Sequence, residues 1–501
     1  MTVTNLAGLV RRAAAAHPGS PALLQGEASV SWAELDAQVD AVAGGLLARG
    51  LVAGDRVAVH LPNTLEFPAC WFGVLRAGLV AVPANPGATA VELEHLLGDC
   101  GARAVVTAAA TATAVLALPA PPELVVVVGD APAGATPYAD LLAGPVAPQQ
   151  DAGGGEDLAA VLYTSGTWGR PRGVMLSHRA LLASLEQGAH MDPPVVGPGD
   201  VVLLVLPLFH VYGLNAALGA VALHGATGVL IERFDPVATL EQVSRHRVTS
   251  LVGAPPMFVA WSELDDAGAA FASVRVALSG AAPLPPGARD GMRALTGLAV
   301  QEGYGLTETA PTVATTVMSP VPKPGSIGRP VPGVELRLLD ERGRPVEDGD
   351  PGEIVVRGAN LFSGYWPDGG GGPDADGWFA TGDVAVLDAD GDLHLVDRRR
   401  ELVLVSGFNV YPREVEQVLA AHPDVLEVAV LGLPHPDTGE AVTAYVVARP
   451  GAALTAGDVI GLAARSLARF KCPTVVHLVA ELPRSATGKV SKGRLRELAG
   501  R

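Results

Sequence analysis

The sequence predicts an α/β fold: a large N-terminal region of β/α subdomains closed by a β-subdomain, followed by a small α+β domain. Three observations carry this. Short apolar runs at 201–206, 228–231, 250–252 and 274–278 have the length of buried strands, and helical-length segments lie between several of them, which is the alternation of parallel β/α units. From Val334 the pattern shifts to shorter alternating strands, the mark of a separate antiparallel subdomain. Beyond the basic run Arg398-Arg399-Arg400 about 100 residues remain, a size that folds as a compact domain.

Taken in order, residues 102–128 form the most apolar stretch, rich in Ala and Thr and interrupted by Pro119, Pro121 and Pro122. That composition reads as buried helix and strand, not as a membrane span. In the antiparallel region the expected strands are 334–339, 353–357, 384–387 and 393–396. The last two flank Asp388-Ala-Asp-Gly-Asp392, which looks like the start of a calcium loop but lacks the later ligands and closing Glu, so a hairpin turn on Asp390-Gly391 is expected. Four consecutive glycines, 369–372, read as a flexible loop. After the basic run come a helix from Pro412, strands at 425–431 and 442–447, and a helix near 458–469. There is no internal repeat or long low-complexity linker.

At 501 residues the chain exceeds what one core organises, so at least two domains are expected. Apolar residues make up 49% and charged residues 17%, which suits a large soluble α/β protein and excludes a disordered or fibrous one. A net charge of −17 argues against a broad nucleic-acid-binding surface but leaves small polyanionic ligands open. Such ligands need local basic spots, and two occur: 398–400, and Lys489, Lys492, Arg494 and Arg496. Either could equally be a solvated charged face. Cys70, Cys100 and Cys472 have neither metal-ligand nor redox spacing, and Arg11-Arg12 follow no long apolar stretch with a cleavage site. A reducing, cytoplasmic setting is the expectation.

The most informative segment is 163–174, Tyr-Thr-Ser-Gly-Thr-Trp-Gly-Arg-Pro-Arg-Gly-Val, directly after the apolar run 158–162. Glycines allow close approach to a ligand, and hydroxyls with backbone N–H groups can surround phosphate oxygens. It is not a Walker loop, because no Gly-Lys-Ser/Thr closes it, and Ser165 is not in a Gly-x-Ser-x-Gly elbow. Four further segments follow: Gly303-Tyr-Gly-Leu-Thr-Glu308, Thr381-Gly-Asp383, Asp397 to Pro412 (Asp-Arg-Arg-Arg-Glu-Leu-Val-Leu-Val-Ser-Gly-Phe-Asn-Val-Tyr-Pro), and Pro483-Arg-Ser-Ala-Thr-Gly-Lys489. In this order the five resemble the adenylate-forming (acyl-CoA synthetase, AMP-binding) superfamily, closest in character to fatty acyl-CoA ligases. The resemblance spans nearly the whole chain.

The resemblance implies roles. Thr164, Ser165, Gly166, Thr167, Gly169, Arg172 and Gly173 would cradle the phosphates of ATP, and Thr167 with Glu308 would hold Mg²⁺. Tyr304 would lie along the adenine, with Gly303 and Gly305 also in the nucleotide site, and Thr307 would hydrogen-bond the α-phosphate. Asp383 would grip the ribose hydroxyls and Arg398 would meet the ribose from the domain junction. Arg400 matches a hinge, dividing the chain into 1–396, 397–400 and 401–501. Lys489 would bring positive charge to the carboxylate and α-phosphate during adenylation. Rotation of the C-terminal domain would then replace Lys489 by Ser406-Gly407-Phe408, with Gly407 letting the pantetheine of coenzyme A pass.

For the acid, residues 206–213 (Leu-Pro-Leu-Phe-His-Val-Tyr-Gly) resemble a pocket motif with His210 near the carboxylate, and 279–284 (Ser-Gly-Ala-Ala-Pro-Leu) a strand end beside it. Small residues at Gly213, Ala216, Ala217, Gly280, Ala281 and Ala282 would leave room for an apolar chain or ring. Each has a plainer reading: a turn at 303–308, a cap at Asp383, a core histidine at 210, a surface lysine at 489, and close packing at the small residues.

Two departures stand out. Trp168 sits where Ser or Thr is usual, and Arg172 replaces the expected Lys. Trp168 keeps a second class open, a nucleotide- or acyl-binding pseudoenzyme. The expected reaction is ATP-dependent acyl-CoA formation on a medium- or long-chain fatty acid; an aryl acid, a small dicarboxylate or a carrier-protein acceptor are the alternatives. A monomer and a homodimer are equally compatible.

Overall fold

The computed structural model describes residues 3–144, 151–164, 171–264, 267–347, 349–398, 401–405, 408–435, 438–484 and 490–499. These fall into two compact units, one drawn from 1–164, 171–335 and 357–379 and the other from 336–356 and 380–501. Among the described residues no helix is long and apolar enough to cross a membrane. The 102–128 stretch is instead strand Ala104–Ala108, helix Ala109–Leu116 and strand Leu124–Val128.

The larger unit holds two sheets. One has seven strands in the order Thr136–Pro137, Leu124–Val128, Ala104–Ala108, Arg56–His60, Val80–Pro83, Leu158–Thr164, Arg172–Ser177. All neighbours run parallel except the final pair, which is antiparallel. Val57, Val59, Val82, Val105, Val127 and Val161 are fully buried, as expected of parallel strands covered on both faces.

The other sheet has nine strands: Arg329–Pro330, Thr312–Thr315, Val300–Gly305, Val276–Ser279, Ser250–Gly253, Val201–Leu204, Thr227–Leu230, Pro21–Gln25, Ala28–Ser31. Its centre is parallel and its two ends are antiparallel. The four apolar runs seen in the sequence are four of these strands, displaced by a residue or two at their ends.

Helix starts follow local chemistry. Trp32–Ala48 opens on a capping box in which Glu34 accepts the Ser31 N–H at 2.8 Å, and Ala90–Cys100 repeats it with Thr89 and Glu92. Glu66–Arg76 ends on Arg76, whose guanidinium is wholly buried against Asp36 at 2.7 Å, Asp40 at 2.8 Å and Asp151 at 3.1 Å. One cation thereby ties two helices and the 151 segment together.

A four-stranded sheet, most of whose residues belong to the smaller unit, runs Val334–Leu339, Gly352–Gly358, Phe379–Leu387, Leu393–Arg398. Asp388 Oδ1 accepts from the N–H groups of Asp390 and Asp392 at 3.0 Å each, and Gly391 takes φ 87°, so the acidic loop is a hairpin turn made by its own aspartate.

A second, five-stranded sheet contains Phe408–Val410, Val403–Val405, Gly439–Ala448 and Val425–His435, with Val475–Leu478 added parallel to Gly439–Ala448. Helices Pro412–Ala420 and Ala456–Ser466 supply Val415, Leu419, Val459 and Ala463 to a core with Val403, Val430 and Val442. Helix Lys492–Ala499 places Leu495 against Ala429, Leu431 and Tyr445.

Two sequence expectations change. Lys492 is not a solvated charge: its ammonium lies 2.8 Å from both Glu401 and Glu416, and its side chain is 14% exposed. The glycines at 369–372 form a pinned turn, because Tyr365 N–H donates to Gly370 O at 3.1 Å and Gly369 N–H to Tyr365 O at 2.8 Å. Gly369 and Gly371 take φ 78° and 70°, conformations that favour glycine.

Candidate active site

The phosphate-loop segment is bracketed by an antiparallel hairpin. Strands Leu158–Thr164 and Arg172–Ser177 set Thr164 opposite Arg172 and Tyr163 opposite Gly173. The expected contacts of Ser165, Gly166, Thr167 and Gly169, and the Trp168 departure, lie outside the described residues. Gly173 is needed for a close approach: a Cβ there would sit 2.6 Å from Val161 Cγ1 and 3.0 Å from Trp366 Cβ. The segment that crowds it is laid along the outer strand, with Trp366 N–H donating to Gly173 O at 2.8 Å and Ser363 N–H to Met175 O at 2.9 Å.

Thr307 and Glu308 sit on a short 3-10 turn, Thr307–Thr309, that follows strand Val300–Gly305. The chain doubles back so tightly that a Cβ on Gly305 would lie 1.8 Å from Pro311 O. By contrast, a Cβ on Gly303 would meet Leu278 at 3.5 Å, ordinary contact. Tyr304 and Thr307 are both 8% exposed.

Reversal puts Ala310 in the left-handed region at φ 58°, which costs about 1 kcal/mol for a residue with a Cβ. Two buried amides hold it. Asn215 Nδ2 donates to Ala310 O at 2.8 Å, and Asn360 Nδ2 donates to Thr309 O at 2.8 Å and Thr312 O at 3.1 Å. Gln187 Nε2 donates to Asn360 Oδ1 at 3.3 Å.

The Glu308 carboxylate is aimed by a residue the sequence did not single out. Tyr365 O–H donates to Glu308 Oε1 at 2.8 Å, and the guanidinium carbon of Arg172, on the hairpin's outer strand, lies 3.6 Å from the Tyr365 ring centroid. Phosphate-loop exit and acidic turn therefore meet on one tyrosine.

Glu308, next to Thr307 in the chain, offers a hard oxygen ligand. Among the described residues no three His, Cys, Asp or Glu side chains converge as a cage. One carboxylate suits magnesium that is bound mainly through nucleotide phosphates, so these residues fit the expected ion.

In the segment expected to meet the acid, His210 is half-buried and its Nδ1 accepts the Tyr212 N–H at 3.3 Å, which leaves Nε2 as the protonated nitrogen of the neutral ring. It precedes a π-helical stretch, Tyr212–Gly219, a rare form that recurs at functional sites. Gly213 and Gly280 are explained by close packing. A Cβ on Gly213 would come 2.6 Å from Pro207 O, and one on Gly280 2.7 Å from the Tyr212 ring. Tyr212 thus joins the two segments, its hydroxyl reaching Leu278 O at 3.4 Å and its phenol pushed up by burial. Ala281 and Ala282 are exposed at the end of strand Val276–Ser279, with Ala281 at φ 72°.

Asp383 belongs to the smaller unit, 6% exposed and opposite Arg398 in strand register. Its N–H donates to Thr381 Oγ1 at 3.2 Å, and Thr381 donates to Ile354 O at 2.9 Å. The Arg398 side chain, Arg400, Gly407 and Lys489 lie outside the described residues. Tyr365, Asn215, Asn360 and Gln187 were missed because no motif contains them; the available signal was an amide at 215 inside an otherwise apolar helical run.

Known proteins resemble this chain along most of its length. The AMP-binding enzyme model matches residues 10–366, and the AMP-binding enzyme C-terminal domain model matches 414–489. A long-chain-fatty-acid–CoA ligase from Yersinia pestis is 36% identical over 493 residues, covering 89% of this chain and 86% of its own. A feruloyl-CoA synthase from an Amycolatopsis species is 36% identical over 503 residues, 98% of each chain. The crystal structure of ATP-bound MatB from Rhodopseudomonas palustris matches with a TM-score of 0.90 at 34% identity, over 99% of both chains. With the acidic turn, the hairpin and matches along most of the sequence in hand, the chain belongs to the AMP-binding enzyme family and is one of its ligases.

Proposed function

We propose that this protein is an AMP-forming acyl-CoA ligase whose acid is an apolar monocarboxylate, first of all a medium- or long-chain fatty acid. In the first step a carboxylate oxygen bonds to the α-phosphorus of ATP while the bond to pyrophosphate breaks, giving acyl-AMP. In the second the thiol sulfur of coenzyme A bonds to the acyl carbon, its proton goes to solvent, and AMP leaves.

The observation that carries this reading is the Glu308 carboxylate, held by Tyr365 on a braced turn with Arg172 against the same ring. Arg172 meets phosphate oxygens as a planar fork, Thr307 donates to the α-phosphate, and Glu308 holds Mg²⁺. When bound, that ion neutralises charge accumulating on the departing pyrophosphate. His210 orients the acid, and the backbone of 303–305 supports the adenine.

In the remaining roles Asp383 and Arg398 hold the ribose, Lys489 serves adenylation, Arg400 is the hinge between 1–396 and 401–501, and Gly407 admits pantetheine. A cytoplasmic setting accords with three free thiols at Cys70, Cys100 and Cys472.

A panel of acids incubated with ATP and either coenzyme A or a phosphopantetheinylated carrier, followed by mass spectrometry, tests this. Fatty acyl-CoA is the expected product. Carrier-bound product alone defeats the acceptor assignment, and ATP binding without turnover of any acid defeats the ligase reading. An aryl acid is the second reading, favoured by the feruloyl-CoA synthase match, which covers 98% of both chains. Aryl-CoA formed faster than fatty acyl-CoA would select it.

A further inference from the structure

Arg172 stands where the resemblance calls for lysine, and its surroundings account for the change. Its guanidinium carbon is 3.6 Å from the centroid of the Tyr365 ring, a stacking that the planar, delocalised arginine head makes and a compact ammonium makes less well. The same tyrosine donates its hydroxyl proton to Glu308 Oε1 at 2.8 Å. A cation over the ring draws electron density from the phenol, so the O–H becomes the stronger donor to the carboxylate.

The ring cannot drift from this position. Phe362 meets it edge-on at 5.0 Å and is itself edge-on to Phe379 at 4.9 Å. The turn at 369–372 closes on it, since a Cβ at Gly371 would lie 3.2 Å from the ring, and both backbone polar groups of Tyr365 are engaged by Gly369 and Gly370. One carboxylate oxygen of Glu308 is thereby fixed, and the orientation of the other follows.

We infer that Tyr365 is a positioning residue of this ligase: its hydroxyl sets Glu308 for the nucleotide's magnesium, and its ring sets Arg172 for the phosphates. The inference rests on the roles given above to Glu308 and Arg172. Neither the hydroxyl nor the ring takes part in bond making.

Equilibrium dialysis of ATP, without acid or coenzyme A, across a series of Mg²⁺ concentrations reads this apart from turnover. Tyr365→Phe keeps the ring and removes the hydroxyl. It is expected to raise the Mg²⁺ concentration for half-maximal ATP binding about 10-fold, the size of one hydrogen bond to a charged group, with binding in the absence of Mg²⁺ within about twofold of the parent. Arg172→Lys keeps the charge and loses the stacking face. Its expected effect is weaker ATP binding at every Mg²⁺ concentration, and the double variant is expected to lose less than the sum of the two.

A half-point does not depend on the amount of folded protein, so reduced yield of a variant leaves the reading intact. A Tyr365→Phe half-point equal to the parent's overturns the inference, whatever happens to thermal stability. Absence of any Mg²⁺ dependence in the parent protein instead overturns the assignment of Glu308.

Discussion

Glu308 and Tyr365 lie 57 residues apart in sequence and share one hydrogen bond, so the chemistry of the acidic turn depends on a contact that no local pattern encodes. Gly305 shows the opposite case, a motif residue whose requirement is steric. Gly305→Ala would drive a Cβ to within 1.8 Å of Pro311 O; that oxygen is backbone and the Cβ is fixed directly on the backbone, so no side-chain rotation relieves the clash. The turn must open, so the expected result is a loss of ATP binding together with a drop in melting temperature. Wild-type binding in that variant would show that the reversal at 310–311 is not required. For Lys489, whose role is proposed from its motif, Lys489→Ala is expected to lower the adenylation rate at least 100-fold and leave ATP affinity within a few-fold. Pyrophosphate release against ATP dialysis separates the two, and an unchanged release rate defeats the role.

Among elements, the stability of the larger unit depends on polar groups buried where helices and loops cross. Arg76 ends one helix and meets Asp36, Asp40 and Asp151, carboxylates from another helix and from the segment before strand Leu158–Thr164. Removing only this cation leaves the three carboxylates with Arg11 alone, part-exposed and reaching Asp40 at 3.4 Å and Asp151 at 3.1 Å, and takes away the partner of Asp36. Arg76→Met is expected to cost about 3–5 kcal/mol, whereas losing an exposed, solvent-screened pair such as Arg344–Asp340 is expected to cost far less. Chemical denaturation of Arg76→Met beside Arg344→Met tests the contrast; equal costs would refute it. Asn215 and Asn360 do the same work on a smaller scale, joining the π-helical stretch and the 360 segment to the Thr307 turn. The sequence revealed the turn but not its supports, because an amide becomes a brace only when the fold brings carbonyls to it.

For the molecule as a whole, a buried histidine that the candidate site does not use contributes to the response to acid. His178 begins helix His178–Ala189 and accepts the Leu6 N–H on Nδ1 at 3.1 Å. Burial lowers its pKa from 6.5 to about 4, against a smaller upward pull from Asp157 and Asp151. Because the folded pKa is depressed, the unfolded chain binds the proton first. This contribution is complete above about pH 6.5 and is lost as pH falls towards 4, a change of about 3 kcal/mol. His178→Asn keeps an acceptor for Leu6 and cannot titrate, so the difference in unfolding free energy between pH 7.5 and pH 5 is expected to shrink in that variant. An identical difference in the two proteins would assign the acid sensitivity to other groups.

The sequence by itself determined the fold class, a number of the strands and helices in their order, and the residue types at the acidic turn. Strands at 201–204, 250–253 and 334–339 were legible because side-chain period and apolar run length are local properties of the chain. Thr307 and Glu308 were legible because their motif is contiguous. Tertiary structure alone decided that Gly213 and Gly280 are filled by Pro207 and Tyr212, that Lys492 is paired, and that Tyr365 and Arg172 frame Glu308. The reason is physical: a glycine's space, a lysine's solvation and a carboxylate's orientation are set by atoms far away in sequence, and only folding brings those atoms near.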